Sequence, residues 1–121
     1  MQKLPDAEFE VMKTIWESKP PVTTKEIMAK LDPIKEWKAQ TVLTLLVRLT
    51  ARGFISSEKQ GKERLYSPII TEEEYLAFET KDFMGKFHKN SFASLFSAFY
   101  RGKEISNKEI EELKQWMNER K

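Results

Sequence analysis

The 121-residue sequence has no cysteine, which excludes disulfides and thiolate metal sites outright. Its single histidine, His88, sits at a lysine-rich helix end, and neither a Ser/His/Asp set nor a metal cluster can be assembled around it. A solvated helical histidine explains it better than a catalytic base does. The four glycines form no phosphate-cradling loop. Carboxylates are plentiful, but they fall in helix first turns or on solvated faces. The expectation is a protein that is not an enzyme and that uses no cofactor and no metal. No run of eighteen apolar residues exists, so no transmembrane helix is expected. The opening Met-Gln-Lys-Leu-Pro-Asp lacks the apolar stretch of a signal peptide, and a cytoplasmic protein is expected.

An excess of charge of either sign is lacking as well. The net charge is +2, too little for a global pull on nucleic acid. Its distribution says more. Residues 1–70 carry twelve Lys and Arg against nine Asp and Glu, whereas residues 71–121 carry nine against ten. Within 38–64 there are six basic residues and two acidic ones, so the positive charge is concentrated there. The 40% apolar and 12% aromatic content suffices for a packed core, in one domain or two very small ones.

What is present is a helix of about four turns over residues 38–53. Val42, Leu45, Leu46 and Leu49 fall at i, i+3, i+4 and i+7 and share one face. Gly53 ends the helix, because glycine enters the left-handed position after a helix without penalty. Arg52 sits in the last turn, where the helix dipole favours a cation. Gln40, Thr41, Thr44 and Arg48 fall on the face opposite the apolar stripe. That face offers an amide, two hydroxyls and a guanidinium, and no carboxylate. Amides and hydroxyls read base edges, and arginine reads guanine or holds phosphate. Taken alone, such a face is also what a solvated helix presents.

The neighbouring segments favour the first reading. A helix is expected over about 5–18, with Phe9, Met12, Ile15 and Trp16 buried, stopped by Lys19-Pro20-Pro21. A second, over about 24–31, opens on Thr23 and Glu26 at capping-box spacing and closes at Asp32-Pro33. Trp37 reads as a core anchor. After Gly53, two short apolar-alternating runs flank Gln60-Gly61-Lys62-Glu63, which predicts a β-hairpin with a basic tip at Lys59, Lys62 and Arg64. Those charges serve equally as edge protection. Three helices and then a hairpin, with the third helix basic and polar outward, is the order of a winged helix-turn-helix, which puts its third helix in the major groove.

From residue 71 the character changes. Thr71-Glu72-Glu73-Glu74 reads as a capped helix start running to about His88, with Tyr75, Phe78, Phe83 and Phe87 as its large apolar groups. A helix over about 90–101 and another opened by the capping box Ser106 to Glu109 follow. So many aromatics exceed what three short helices bury against themselves, and a second copy of the chain is the simplest cover. The expected fold class is mostly α with a small β-hairpin wing. Residues 1–70 form a winged-helix DNA-binding domain and 71–121 an all-α dimerisation domain. Gln40, Thr41 and Thr44 are the base-contact candidates, and Lys38, Arg48, Arg52, Lys62 and Arg64 the backbone-contact candidates. Phe92, Leu95, Phe96, Phe99, Leu113, Trp116 and Met117 are the dimer-interface candidates.

The chain resembles the BlaI/MecI penicillinase-repressor family of winged-helix regulators over essentially its whole length. The resemblance rests on Ala7-Glu8-Phe9-Glu10-Val11-Met12 with Ile15-Trp16, on Thr41-Val42 with Thr44-Leu45-Leu46 and Arg48-Leu49, on Gly53-Phe54-Ile55, on Lys81-Asp82-Phe83 and on Glu109-Ile110-Glu111-Glu112-Leu113. It implies a homodimeric repressor on dyad operators near antibiotic-resistance or stress genes. It also implies induction through a membrane sensor-protease, or a protease it triggers, by cutting in the dimerisation domain at a bond that is Ala98–Phe99 here. The chain departs from the family pattern at that bond, with Ala98 for asparagine, and in the reading helix, with Leu43 for arginine and Lys38-Ala39 for Ser-Pro, and the latter two departures point to a different operator preference. The alternative is a winged helix that binds protein and has no specific DNA site. Steep salt dependence of duplex binding separates the two.

Overall fold

Apolar side chains at helical spacing build the first half of the chain. The computed structural model describes residues 1–120, with side chains for all of them outside 32–35. The elements are α1 (Asp6–Trp16), β1 (Val22–Thr23), α2 (Thr24–Lys35), α3 (Ala39–Ala51), β2 (Ile55–Gln60), β3 (Glu63–Pro68), α4 (Glu72–His88), α5 (Phe92–Arg101) and α6 (Asn107–Glu119). They divide into two compact units, Met1–Phe78 and Glu79–Lys121.

In the first unit, α1, α2 and α3 bury one stripe each. Val11, Met12 and Ile15 of α1 meet Ile27 and Leu31 of α2 and Val42, Leu45, Leu46 and Leu49 of α3. Phe9 and Trp16, expected deep in the α1 stripe, lie at its edge and are half-buried. α2 is capped as the sequence indicates: Thr23 Oγ1 accepts the Glu26 N–H at 3.1 Å, and Glu26 Oε1 accepts the Thr23 N–H at 3.3 Å. α2 runs to Lys35, past the expected stop at Asp32-Pro33. Proline's φ is itself helical, so a helix can pass through one near its end, at the cost of one hydrogen bond and of crowding against the carbonyl four residues back.

β2 and β3 pair antiparallel from Ile55↔Pro68 to Gln60↔Glu63, which leaves Gly61 and Lys62 as a two-residue turn. Gly61 has φ +64°, and Lys62 is not left-handed, the pattern of a type II′ hairpin turn with glycine first. The hairpin is joined by β1, a strand the sequence did not announce, in the order β1-β3-β2. Two residues show no periodicity. β1 exists because Val22 and Thr23 find Tyr66 and Leu65 across the sheet, and Val22 is buried there.

The first unit also runs past residue 70. Tyr75, in the second turn of α4, is fully buried, with ring centroids 5.6–6.1 Å from Phe9, Trp16, Phe54 and Phe78. Its hydroxyl accepts the Leu4 N–H at 2.7 Å, and Trp16 Nε1 donates to the Ile70 carbonyl at 2.9 Å. Tyr75 and Phe78 therefore belong to the winged-helix core, although their position in the sequence suggested the dimerisation segment. In the second unit, α5 is capped by Ser91, which accepts the Ser94 N–H, and α6 by the capping box of Ser106 and Glu109.

Among the described residues one carboxylate is buried in an ion pair whose cation reaches it from the surface. Glu8 is only 2% exposed, and Arg52 Nε donates to its Oε1 at 2.8 Å, while Arg52 Nη1 donates to Gln2 Oε1 at 2.8 Å. The pair joins the first turn of α1 to the C-terminal end of α3. Removing one partner of a buried pair leaves an uncompensated charge, whereas replacing both by apolar groups is often neutral. Arg52→Ala is expected to lower the free energy of unfolding by about 3 kcal/mol, and the double variant Glu8→Met, Arg52→Met to recover most of it. Urea unfolding of the three proteins checks this. Additive losses would show that the pair is not coupled.

Candidate nucleic-acid interface

With Val42, Leu45, Leu46 and Leu49 buried, the geometry of a 3.6-residue helix fixes what α3 shows outward. The middle of the outward face is the row Gln40, Thr44, Val47 and Ala51 at i, i+4, i+7 and i+11. Thr41 and Arg48 flank it on one side and Leu43 on the other, and all of these are exposed. Lys38 precedes the helix at the N-cap with its side chain exposed. No carboxylate lies between Lys38 and Arg52. The Thr44 hydroxyl donates to the Gln40 carbonyl at 3.0 Å. Its proton is thus used within the helix, and its lone pairs remain for a donor on a base edge.

The hairpin sorts its charges by face. Side chains alternate along a strand, so the pairing Lys59↔Arg64 puts these two cations opposite each other on the face that also carries Ser57 and Tyr66. Glu58 and Glu63 fall on the other face. Arg64 Nη1 donates to Ser57 Oγ at 3.2 Å, which holds the guanidinium along the strand. Like charges placed directly across a pair of strands repel. An anion between them relieves that repulsion, and phosphate is the anion a duplex supplies.

Of the eight candidates from the sequence, Gln40, Thr41, Thr44 and Arg48 share the outward side of α3, with Lys38 at its start and Lys62 and Arg64 at the hairpin end. Arg52 does not join them. Its guanidinium is turned to Glu8 and Gln2, because a carboxylate buried at that depth needs a partner. The signal was present in the sequence only as Glu8 on the buried side of α1. Val47, which the sequence reading passed over, and Leu43, noted there only as a departure from the family pattern, lie on the same outward side of α3, and Lys59, placed in the basic hairpin tip but not among the contact candidates, lies opposite Arg64. Period-2 alternation could have added Lys59 to the contact candidates, as the mate of Arg64, once the turn was placed at Gly61-Lys62. Among the described residues no three His, Cys, Asp or Glu side chains are grouped to hold a metal ion.

Comparison with known proteins bears on this arrangement. Residues 4–119 match the penicillinase repressor family. The penicillinase repressor of Bacillus licheniformis is 33% identical over 124 residues, covering 100% of this chain and 96% of the relative. The methicillin resistance regulatory protein MecI of Staphylococcus aureus strain N315 is 32% identical over 118 residues, 98% of this chain and 95% of the relative. The chain belongs to the penicillinase repressor family. Solved structures agree on the fold. The solution structure of the Bacillus licheniformis BlaI monomeric form in complex with the blaP half-operator is similar with a TM-score of 0.52 and 35% identity, over 61% of this chain and 89% of that one. The DNA-binding domain of the repressor BlaI gives 0.54 and 36%, over 62% and 94%.

The second unit of this family member leaves its apolar groups in water. Met84 is the one buried side chain from Glu79 onward among the described residues. Phe92, Phe99, Trp116 and Met117 are exposed, and Leu95, Phe96 and Leu113 are half-buried. Between α5 and α6 lies an open apolar groove of about 480 Å³ walled by Phe96, Tyr100, Ile110, Leu113 and Met117. The Arg120 guanidinium stacks 4.4 Å over the Trp116 ring. The Ala98–Phe99 bond lies inside α5, where the Ala98 carbonyl accepts the Gly102 N–H at 3.2 Å. No helix among the described residues is long and apolar enough to cross a membrane.

A phosphate role for the hairpin has a measurable consequence. Lys62→Ala and Arg64→Ala are each expected to weaken binding to every duplex alike and to lower the slope of log affinity against log salt by about one. Fluorescence titrations at several salt concentrations check this, and an unchanged slope would place that side chain in solvent.

Proposed function

We propose that the protein represses transcription by occupying a two-fold symmetric DNA operator as a homodimer. α3 of each copy enters the major groove with Gln40, Thr41 and Thr44 at base edges. Lys38 and Arg48 beside it, and Lys62 and Arg64 of the hairpin together with Lys59, hold phosphates and set the register. The observation that carries this reading is the outward face of α3, which is free of carboxylates, rich in hydrogen-bonding groups, and held in place by the four buried residues behind it. The BlaI complex of a monomeric form with a half-operator supports one module per half-site. Two half-sites related by a dyad then call for two copies.

The second unit is the means of pairing. Phe92, Leu95, Phe96, Phe99, Leu113, Trp116 and Met117 supply a shared core. An apolar surface of this extent is rarely left open on a protein that works alone. Repression ends when a membrane sensor-protease, or a protease it triggers, causes the Ala98–Phe99 bond to be cut in the cytoplasm. A protease takes its substrate extended, so α5 opens locally first. A ten-residue helix without a fully buried side chain opens at low cost. The cut separates Phe92, Leu95 and Phe96 from Trp116 and Met117, and each released monomer keeps only one half-site.

Trp116→Ala is the test. Half of this side chain is open in a single copy, so its loss costs the monomer little. A tryptophan anchor in an interface is worth about 2 kcal/mol or more per copy, so the dimer should weaken by roughly two to three orders of magnitude. Sedimentation should show monomer at micromolar concentration, and operator titration should show the same loss of affinity. Full dimerisation with wild-type operator affinity would remove Trp116 from the interface, and an intact dimer after cleavage at Ala98–Phe99 would refute release by dissociation.

A further inference from the structure

The row down the middle of α3's outward face mixes two kinds of chemistry. Gln40 and Thr44 offer hydrogen-bonding groups, whereas Val47 offers only an isopropyl group. Val47 is 69% exposed, more than any other large apolar side chain of the first unit among the described residues, and Leu43 beside it is 37% exposed. Neither serves the core, which is filled from the far side by Val42, Leu45, Leu46 and Leu49. Nor does Val47 serve the helix, since a β-branched residue is a poorer helix former than the alanine, lysine or glutamine that suits such a position.

From Gln40 to Val47 the helix rises about 10.5 Å, roughly three base-pair steps. In a major groove, the base edges along that path are hydrogen-bond donors and acceptors with one apolar exception, the 5-methyl group of thymine. An aliphatic side chain set over any other edge strips water from a polar group and returns nothing. We infer that Val47, with Leu43 at its side, reads thymine 5-methyl groups, so that each operator half-site carries thymine at one or two base pairs beneath the third turn of α3. This rests on the repressor reading above. It adds the base pairs that Gln40, Thr41 and Thr44 leave unread.

The test uses the full-length protein and the duplex it enriches from a randomised pool. Each thymine of the half-site is replaced singly by uracil, which keeps every hydrogen-bonding edge and removes only the methyl. Wild type should lose about three- to fivefold in affinity at one or two positions, the transfer value of one buried methyl group. Val47→Ala keeps the helix, since the position is exposed and alanine is a better helix former. It should bind the thymine and uracil duplexes within about twofold of each other at the position Val47 covers, a coupling that a merely structural role would not produce. A half-site without thymine, wild-type affinity indifferent to every methyl, or full wild-type sensitivity in both Val47→Ala and Leu43→Ala would each overturn the inference alone. Failure to enrich any sequence would overturn the repressor reading and the inference with it.

Discussion

Four side chains on one side of α3 decide what its other side can do. Val42, Leu45, Leu46 and Leu49 are buried against α1 and α2, each worth roughly 1.5–3 kcal/mol. A helix turned by one residue, about 100°, would drive polar groups inward and leave leucines in water. The rotation of α3 is therefore fixed by the core and not by any ligand. Its C-terminal end is held too. Gly53, at φ +80°, turns the chain out of the helix, and Phe54 is buried directly after it, while Arg52 ties the same end to Glu8. A reading surface that is rigid before binding loses little conformational freedom on binding, and a half-site contact of modest size depends on that.

How much of this was legible in the sequence follows from what each signal measures. Periodicity located α1, α3 and the hairpin, because these elements bury one face and expose the other. Capping residues located the starts of α2, α4 and α6, where Thr23, Thr71 and Ser106 each pair with a glutamate three residues on. What stayed hidden depends on neighbours distant in the chain. β1 exists through Tyr66 and Leu65, more than forty residues away. Tyr75 reads as one more aromatic of a helical segment, yet its ring fills the centre of the winged-helix core and its hydroxyl serves the Leu4 backbone. Arg52 reads as a helix-end cation available to phosphate, and only the depth of Glu8 reveals where it goes. Val47 was lost for the opposite reason. An apolar residue in an apolar-rich helix is taken for core unless its angle is followed around the wheel.

The two units meet the cost of exposed apolar surface differently. The first buries its aromatics within itself, around Tyr75. The second exposes Phe92, Phe99, Tyr100 and Trp116 on helices too short to enclose them. Under the proposed reading this division has a use. A self-sufficient module keeps its reading helix in place whether or not it is paired, so cutting the second unit changes how many half-sites are held at once and not the fold that reads them. Two linked half-site contacts bind far more tightly than one because the second forms at high effective concentration, and losing that linkage is a large switch obtained without altering the reading surface.

The most direct measurement of the central claim, that the outward face of α3 reads sequence, is a footprint on the DNA upstream of the protein's own reading frame. Wild type is expected to protect two half-sites related by a dyad and spaced by about one helical turn or a multiple of it. Thr44→Ala should lose that protection at the same concentration, through a deficit of roughly 1–3 kcal/mol on the site, while its binding to random duplex is retained. Uniform protection without a preferred site, or an identical footprint from Thr44→Ala and Gln40→Ala, would contradict it.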